Sequence, residues 1–95
     1  MSLLEGKTAI ITGASRGIGK GIALTLASHG ANIAFSYSKS VDSANDLVSQ
    51  ITHLGVNCKA YKSNAASFEE SHKLVEDVLN DFKTFEILIN NAGIT

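Results

Sequence analysis

The chain has 95 residues, 44% hydrophobic and 18% charged, with a formal net charge of −1 and neither proline nor tryptophan. That length allows one small α/β-sized domain at most. The mixed charge contains no basic stripe for neutralising nucleic-acid phosphates, and no apolar run approaches the length of a membrane helix. One cysteine, Cys58, excludes an internal disulfide and suits a reducing compartment, and Met1 to Lys7 lacks the features of a signal peptide. A soluble, cytoplasmic protein without nucleic-acid or membrane partners is expected.

Thr8-Ala9-Ile10-Ile11-Thr12 is a short apolar run near glycines, as in a strand buried on both faces. A helix is predicted next, with Ile18, Ile22, Ala23 and Leu26 on its inner face and Gly30 as its stop. Asn32 to Ser36 reads as a second strand. The following helix carries Ala44, Leu47, Val48, Ile51 and Leu54 at three-four spacing and closes at Gly55. Val56 to Tyr61 is a weaker third strand. Ser67-Phe68-Glu69-Glu70 is a capping box, opening a helix whose inner face is predicted as Val75, Val78, Leu79 and Phe82. Ile87-Leu88-Ile89 is a fourth strand, running into Asn90-Asn91-Ala92-Gly93.

This βαβαβαβ order predicts an α/β fold, a Rossmann-type doubly wound parallel sheet. Right-handed crossovers give the strand order 3-2-1-4. The fourth strand would then stand at an open edge with apolar side chains unprotected. Residues 1–95 are therefore expected to be the N-terminal portion of a single such domain that continues past Thr95.

Thr12-Gly13-Ala14-Ser15-Arg16-Gly17-Ile18-Gly19 joins the first strand to the first helix. Gly13 permits a sharp turn, Gly17 leaves room for a pyrophosphate, and Gly19 allows close packing of helix on sheet. The helix start adds free N–H groups and a partial positive charge. The spacing is G-x-x-x-G-x-G, not G-x-G-x-x-G. A nucleoside-triphosphate loop is excluded because its first glycine would fall at Ala14 and Lys20 precedes Gly21. Without a bound anion the same glycines would serve packing alone.

These residues, with Asn90-Asn91-Ala92-Gly93 at their proper separation, resemble the short-chain dehydrogenase/reductase family along the whole chain. Within it, Gly6-Lys7, the glycine turn and the ending Asn90 to Thr95 look most like the branch that reduces 3-oxoacyl groups carried on acyl carrier protein, using NADPH. The resemblance implies that Gly13, Ala14, Ser15, Arg16, Gly17, Ile18 and Gly19 surround the cofactor phosphates. It implies Ser38 near the adenosine ribose, Asn64 and Ala65 beside the adenine, and Asn91, Ala92 and Gly93 lining the cofactor cleft. Asn90 would brace the sheet. Much of the family carries aspartate where Asn64 stands, although an amide oxygen also accepts from the adenine amino group. An acyl-carrier-protein-bound substrate and a tetramer of the complete protein are further implications.

NAD-binding folds of this kind place a carboxylate at the end of the second strand. Here the stretch reads Phe35-Ser36-Tyr37-Ser38-Lys39, with none. Arg16, a cation at a helix N-terminus, is unfavourable unless an anion answers it, and its planar fork suits a phosphate. NADP(H) is the expected cofactor.

His29, His53 and His72 read as helix residues, and no ligand spacing supports a metal. Cys58 reads as a strand residue, Glu69, Glu70, Glu76 and Asp77 as helix charges, and Phe68, Phe82 and Phe85 as packing. In the family, a tyrosine with a lysine four residues later supplies the acid. Tyr37 and Tyr61 have Val41 and Ala65 at that offset, so no catalytic residue is assigned. A reductase of another alcohol, such as a sugar or steroid, and a non-catalytic nucleotide-sensing module remain as alternatives.

Overall fold

The structure is a computed structural model that describes residues 3–14, 17–63 and 67–91. Seven elements follow one another: β1 (Thr8–Ile11), α1 (Gly17–Ser28), β2 (Asn32–Tyr37), α2 (Val41–His53), β3 (Cys58–Lys62), α3 (Phe68–Phe82) and β4 (Ile87–Ile89). The strands form one parallel sheet in the order β3-β2-β1-β4. Thr8 aligns with Asn32, Ala9 with Ile87, and Ile33 with Cys58. The Rossmann-type fold and its strand order are as the sequence predicts, with strand ends differing by one or two residues.

All of β1 is buried, which explains its unbroken apolar run. Its side chains nonetheless alternate between two cores. Ala9 and Ile11, with Ile33 and Phe35 of β2, pack under α1 and α2, where Ala23, Ala27, Ala44, Leu47 and Ile51 are buried. Ile10 and Ala34 face the opposite way, into a smaller core with Leu74 and Val78 of α3. Phe82 and Phe85 pack at its margin, consistent with a packing role. Burying one large aliphatic side chain contributes about 1.5–3 kcal/mol, so the central strands anchor the fold.

Two helices are rotated from the expected orientation. α1 buries Gly19, Ala23 and Ala27, whereas Ile18 is 73% exposed and Ile22 and Leu26 sit at the flank. The row of small residues lets α1 lie close to the sheet, a distance that a row led by isoleucine would not allow. In α3, Leu74 and Val78 are buried, Val75 and Phe82 are partly covered, and Leu79 is 41% exposed. Leu54, at the end of α2, is likewise exposed, while Ala44, Leu47 and Ile51 occupy the predicted face.

α3 begins where the capping signal places it. The Ser67 hydroxyl oxygen accepts from the Glu70 N–H at 3.3 Å. β4 pairs with β1 along one edge, and Leu88 is 55% exposed on the α3 side of the sheet. Among the described residues, no helix is long and apolar enough to cross a membrane.

Candidate dinucleotide-binding site

The strand order decides where a ligand would sit. The chain steps outward from β1 through β2 to β3, then returns to place β4 on the other side of β1. In doubly wound sheets a ligand sits at the carboxyl ends of the strands, beside the point where the strand order reverses. The glycine turn leaves β1 and the paired asparagines follow β4, and because β1 and β4 are parallel neighbours, Gly13 and Asn91 meet at that end of the sheet.

Gly13 makes the turn with a φ of 67°, a left-handed conformation open to glycine at little cost. Its surroundings hold it there. The Gly13 N–H donates to the Ser36 hydroxyl at 3.1 Å, and the Ala14 N–H donates to the Ser36 carbonyl at 3.1 Å. From the other side, the Asn91 side-chain amide donates to the Gly13 carbonyl at 3.1 Å. Thr12 is fixed to β4 through its N–H, which donates to the Ile89 carbonyl at 3.0 Å, and through its hydroxyl, which donates to Asn90 Oδ1 at 3.1 Å. Both asparagines thus tie the end of β4 to the end of β1.

Gly17 opens α1 with a φ of 69°, and a Cβ placed there would meet no atom within 4 Å. Gly19 is the reverse. Its Cβ would lie 2.6 Å from Asn91 Nδ2, 2.8 Å from the Gly13 oxygen and 2.9 Å from Ala14 Cα. One glycine faces open space and the other is locked under the turn. The first four N–H groups of a helix have no acceptor within it, and the first turn of α1 carries no acidic residue. This arrangement suits an anion such as a dinucleotide pyrophosphate. Ile18 stands exposed beside it. Ser38 and Lys39 are exposed just beyond β2, before α2 starts at Val41. Ser15, Arg16, Asn64, Ala65, Ala92 and Gly93 lie outside the described residues.

The sequence signal for Ser36 is a hydroxyl directly after the apolar run Ile33-Ala34-Phe35, on a strand otherwise built for burial. The remaining polar groups form separate structures. Asp81 Oδ2 receives the Lys59 ammonium at 2.9 Å and the Tyr61 hydroxyl at 2.7 Å, fastening α3 to β3. Lys59, then Tyr61, holds the Asp81 carboxyl below its ordinary range, while burial and the Asp81 hydrogen bond push the Tyr61 hydroxyl upward. Burial pushes the Cys58 thiol up to about 12, an inert state for a nucleophile. A cleft of about 330 Å³ between β3 and α3 presents Lys62 and Lys73 together with Glu70 and Asp77, a mixture that does not select an anion. Among the described residues, no group of three or more histidine, cysteine or acidic side chains is arranged to hold a metal.

The family described as short chain dehydrogenase matches residues 7–95. The chain belongs to the short-chain dehydrogenase family. It is 44% identical, over 89 residues, to 3-oxoacyl-[acyl-carrier-protein] reductase FabG of Staphylococcus epidermidis, covering 94% of this chain and 36% of that one. It is 38% identical, over 94 residues, to L-rhamnose 1-dehydrogenase (NAD(P)(+)) of a Sphingomonas species, covering 99% and 37%. A solved short chain dehydrogenase from Burkholderia cenocepacia, in complex with NADP, superposes with a TM-score of 0.87 at 39% identity, covering 90% of this chain and 35% of that one. The chain therefore spans little more than a third of the length of these relatives.

Proposed function

We propose that residues 1–95 are the N-terminal, dinucleotide-binding portion of a single Rossmann domain in an NADPH-dependent oxidoreductase. Its substrate is a 3-oxoacyl group carried on acyl carrier protein, reduced to the 3-hydroxyacyl form for fatty acid biosynthesis in the cytoplasm by a tetramer. The observation that carries the reading is the contrast between Gly17, open to a ligand, and Gly19, closed under the turn. The similarity to the staphylococcal reductase supports the substrate.

In this reading the turn from Gly13 to Gly19 forms the pyrophosphate seat, Gly13 and Ala14 shaping it and Ser15, Gly17, Ile18 and Gly19 lying nearer the ligand. Arg16 accommodates the 2′-phosphate, and Ser38 lies near the adenosine ribose. Asn64 and Ala65 flank the adenine, and Asn91, Ala92 and Gly93 border the cleft toward the nicotinamide. When bound, NADPH supplies the hydride. The chain's own residues bind and orient it, while the groups that orient the carbonyl and deliver the proton belong to the rest of the protein.

The L-rhamnose dehydrogenase supports a second reading, a sugar dehydrogenase with the same cofactor seat. Titrating the full-length protein with NADPH and NADH, then assaying acetoacetyl thioesters against simple ketones and sugars, separates the possibilities. NADPH binding with thioester reduction is expected. Binding without turnover on any carbonyl would favour a nucleotide sensor, and no binding of either dinucleotide would overturn the proposal.

A further inference from the structure

Gly13 is the pivot of the phosphate-facing turn, and both its peptide groups are held from outside the turn. Its N–H goes to the Ser36 hydroxyl and its carbonyl to Asn91, each at 3.1 Å. The next N–H, of Ala14, is held by the Ser36 carbonyl. One β2 residue thus takes two consecutive amides of the turn. Ser36 is 1% exposed and lies between the buried Phe35 and half-buried Tyr37. A hydroxyl in such a place is costly unless it is hydrogen-bonded, and it is bonded to the turn.

Because the Gly13 and Ala14 amides both donate to Ser36, they are already occupied and do not serve an anion. Anion contact then falls to the amides that open α1 from Gly17, into which the turn begun at Gly13 leads. We infer that Ser36 is a positioning residue for the dinucleotide pyrophosphate, acting through Gly13 rather than by touching the ligand. This rests on the cofactor reading above. Removing the hydroxyl leaves the Gly13 N–H without its acceptor and lets the turn shift. The pyrophosphate is common to NADPH and NADH, so both should weaken by the same factor.

Fluorescence titration of the full-length protein with NADPH and NADH, beside a thermal melt, tests this. Ser36→Ala is expected to raise both Kd values about tenfold, the scale of one lost hydrogen bond to a buried donor. Ser36→Thr keeps the hydroxyl and should restore most of the affinity. In steady-state assays, the KM for NADPH should rise while kcat stays near that of the wild type. A folded Ser36→Ala protein with unchanged Kd values, altered only in melting temperature, would overturn the inference. Should that variant not fold, Ser36→Cys carries the same expectation, because its sulfur has similar size but accepts weakly. Unchanged Kd values there would be equally decisive against it. A wild-type protein that binds neither dinucleotide would overturn the underlying cofactor reading, and the role of Ser36 with it.

Discussion

Substituting Gly19 by alanine probes the geometry on which the site depends. The new Cβ would stand 2.6 Å from Asn91 Nδ2 and under 3 Å from two backbone atoms, the Gly13 oxygen and Ala14 Cα. Such separations are too short for carbon, and only the asparagine is free to swing away. Overpacking of this kind costs about 1–3 kcal/mol. Moving Asn91 also breaks its hydrogen bond to Gly13, worth about 1 kcal/mol. Against this, alanine gains about 1 kcal/mol over glycine in a helix interior. The net expectation is a loss of about 1–3 kcal/mol. Gly21, two residues along α1, is the internal control, since a Cβ there meets nothing within 4 Å. Gly21→Ala should be neutral or stabilising by up to about 1 kcal/mol. Urea denaturation of the full-length variants, compared at equal m values, measures both. A Gly19→Ala protein as stable as the wild type, or a Gly21→Ala protein equally damaged, would refute the reasoning.

Four other outcomes are expected. Arg16→Ala should weaken NADPH binding by about 1–3 kcal/mol and leave NADH nearly untouched; equal losses in titration calorimetry would deny Arg16 a 2′-phosphate contact. The Asp81 carboxyl is held below its ordinary value of 3.8 by Lys59 and Tyr61, so it stabilises the fold above that pH and loses the contribution as acid protonates it. The stability gap between wild type and Asp81→Asn should therefore narrow below pH 3.8, and parallel urea midpoints across the acid range would contradict this. The Cys58 thiol, raised to about 12, resists ionisation in the fold but not in the unfolded chain, so stability should fall as pH rises past 9.0. At pH 8, peptide mapping should show Cys58 alkylated more than about tenfold faster in urea than in the native protein; equal rates would contradict its burial. Residues 1–95 expressed alone should associate through the open edge of β4, and a monodisperse monomer in sedimentation would argue otherwise.

The order of elements and the order of strands were both legible along the chain. Short apolar runs and three-to-four patterns are local, and right-handed crossovers narrow three successive βαβ units to a few orders, of which 3-2-1-4 goes with a dinucleotide-type glycine turn after the first strand. The glycine turn was legible for the same reason, since Gly13, Gly17 and Gly19 are defined by their places between one strand and one helix. The rotation of α1 was not. Gly19 was expected against the sheet and is, but the apolar stripe also put Ile18, Ile22 and Leu26 there, and how far each turns outward depends on how closely helix and sheet approach. Nor was the clamp on Gly13. Ser36 and Asn91 are 23 and 78 residues away from it, and only folding brings a β2 hydroxyl and the side-chain amide that follows β4 to the two peptide groups of one glycine. Local sequence dictated which segments turn and which extend. The long-range hydrogen bonds that hold the turn in shape arise from sheet pairing, which no short stretch contains.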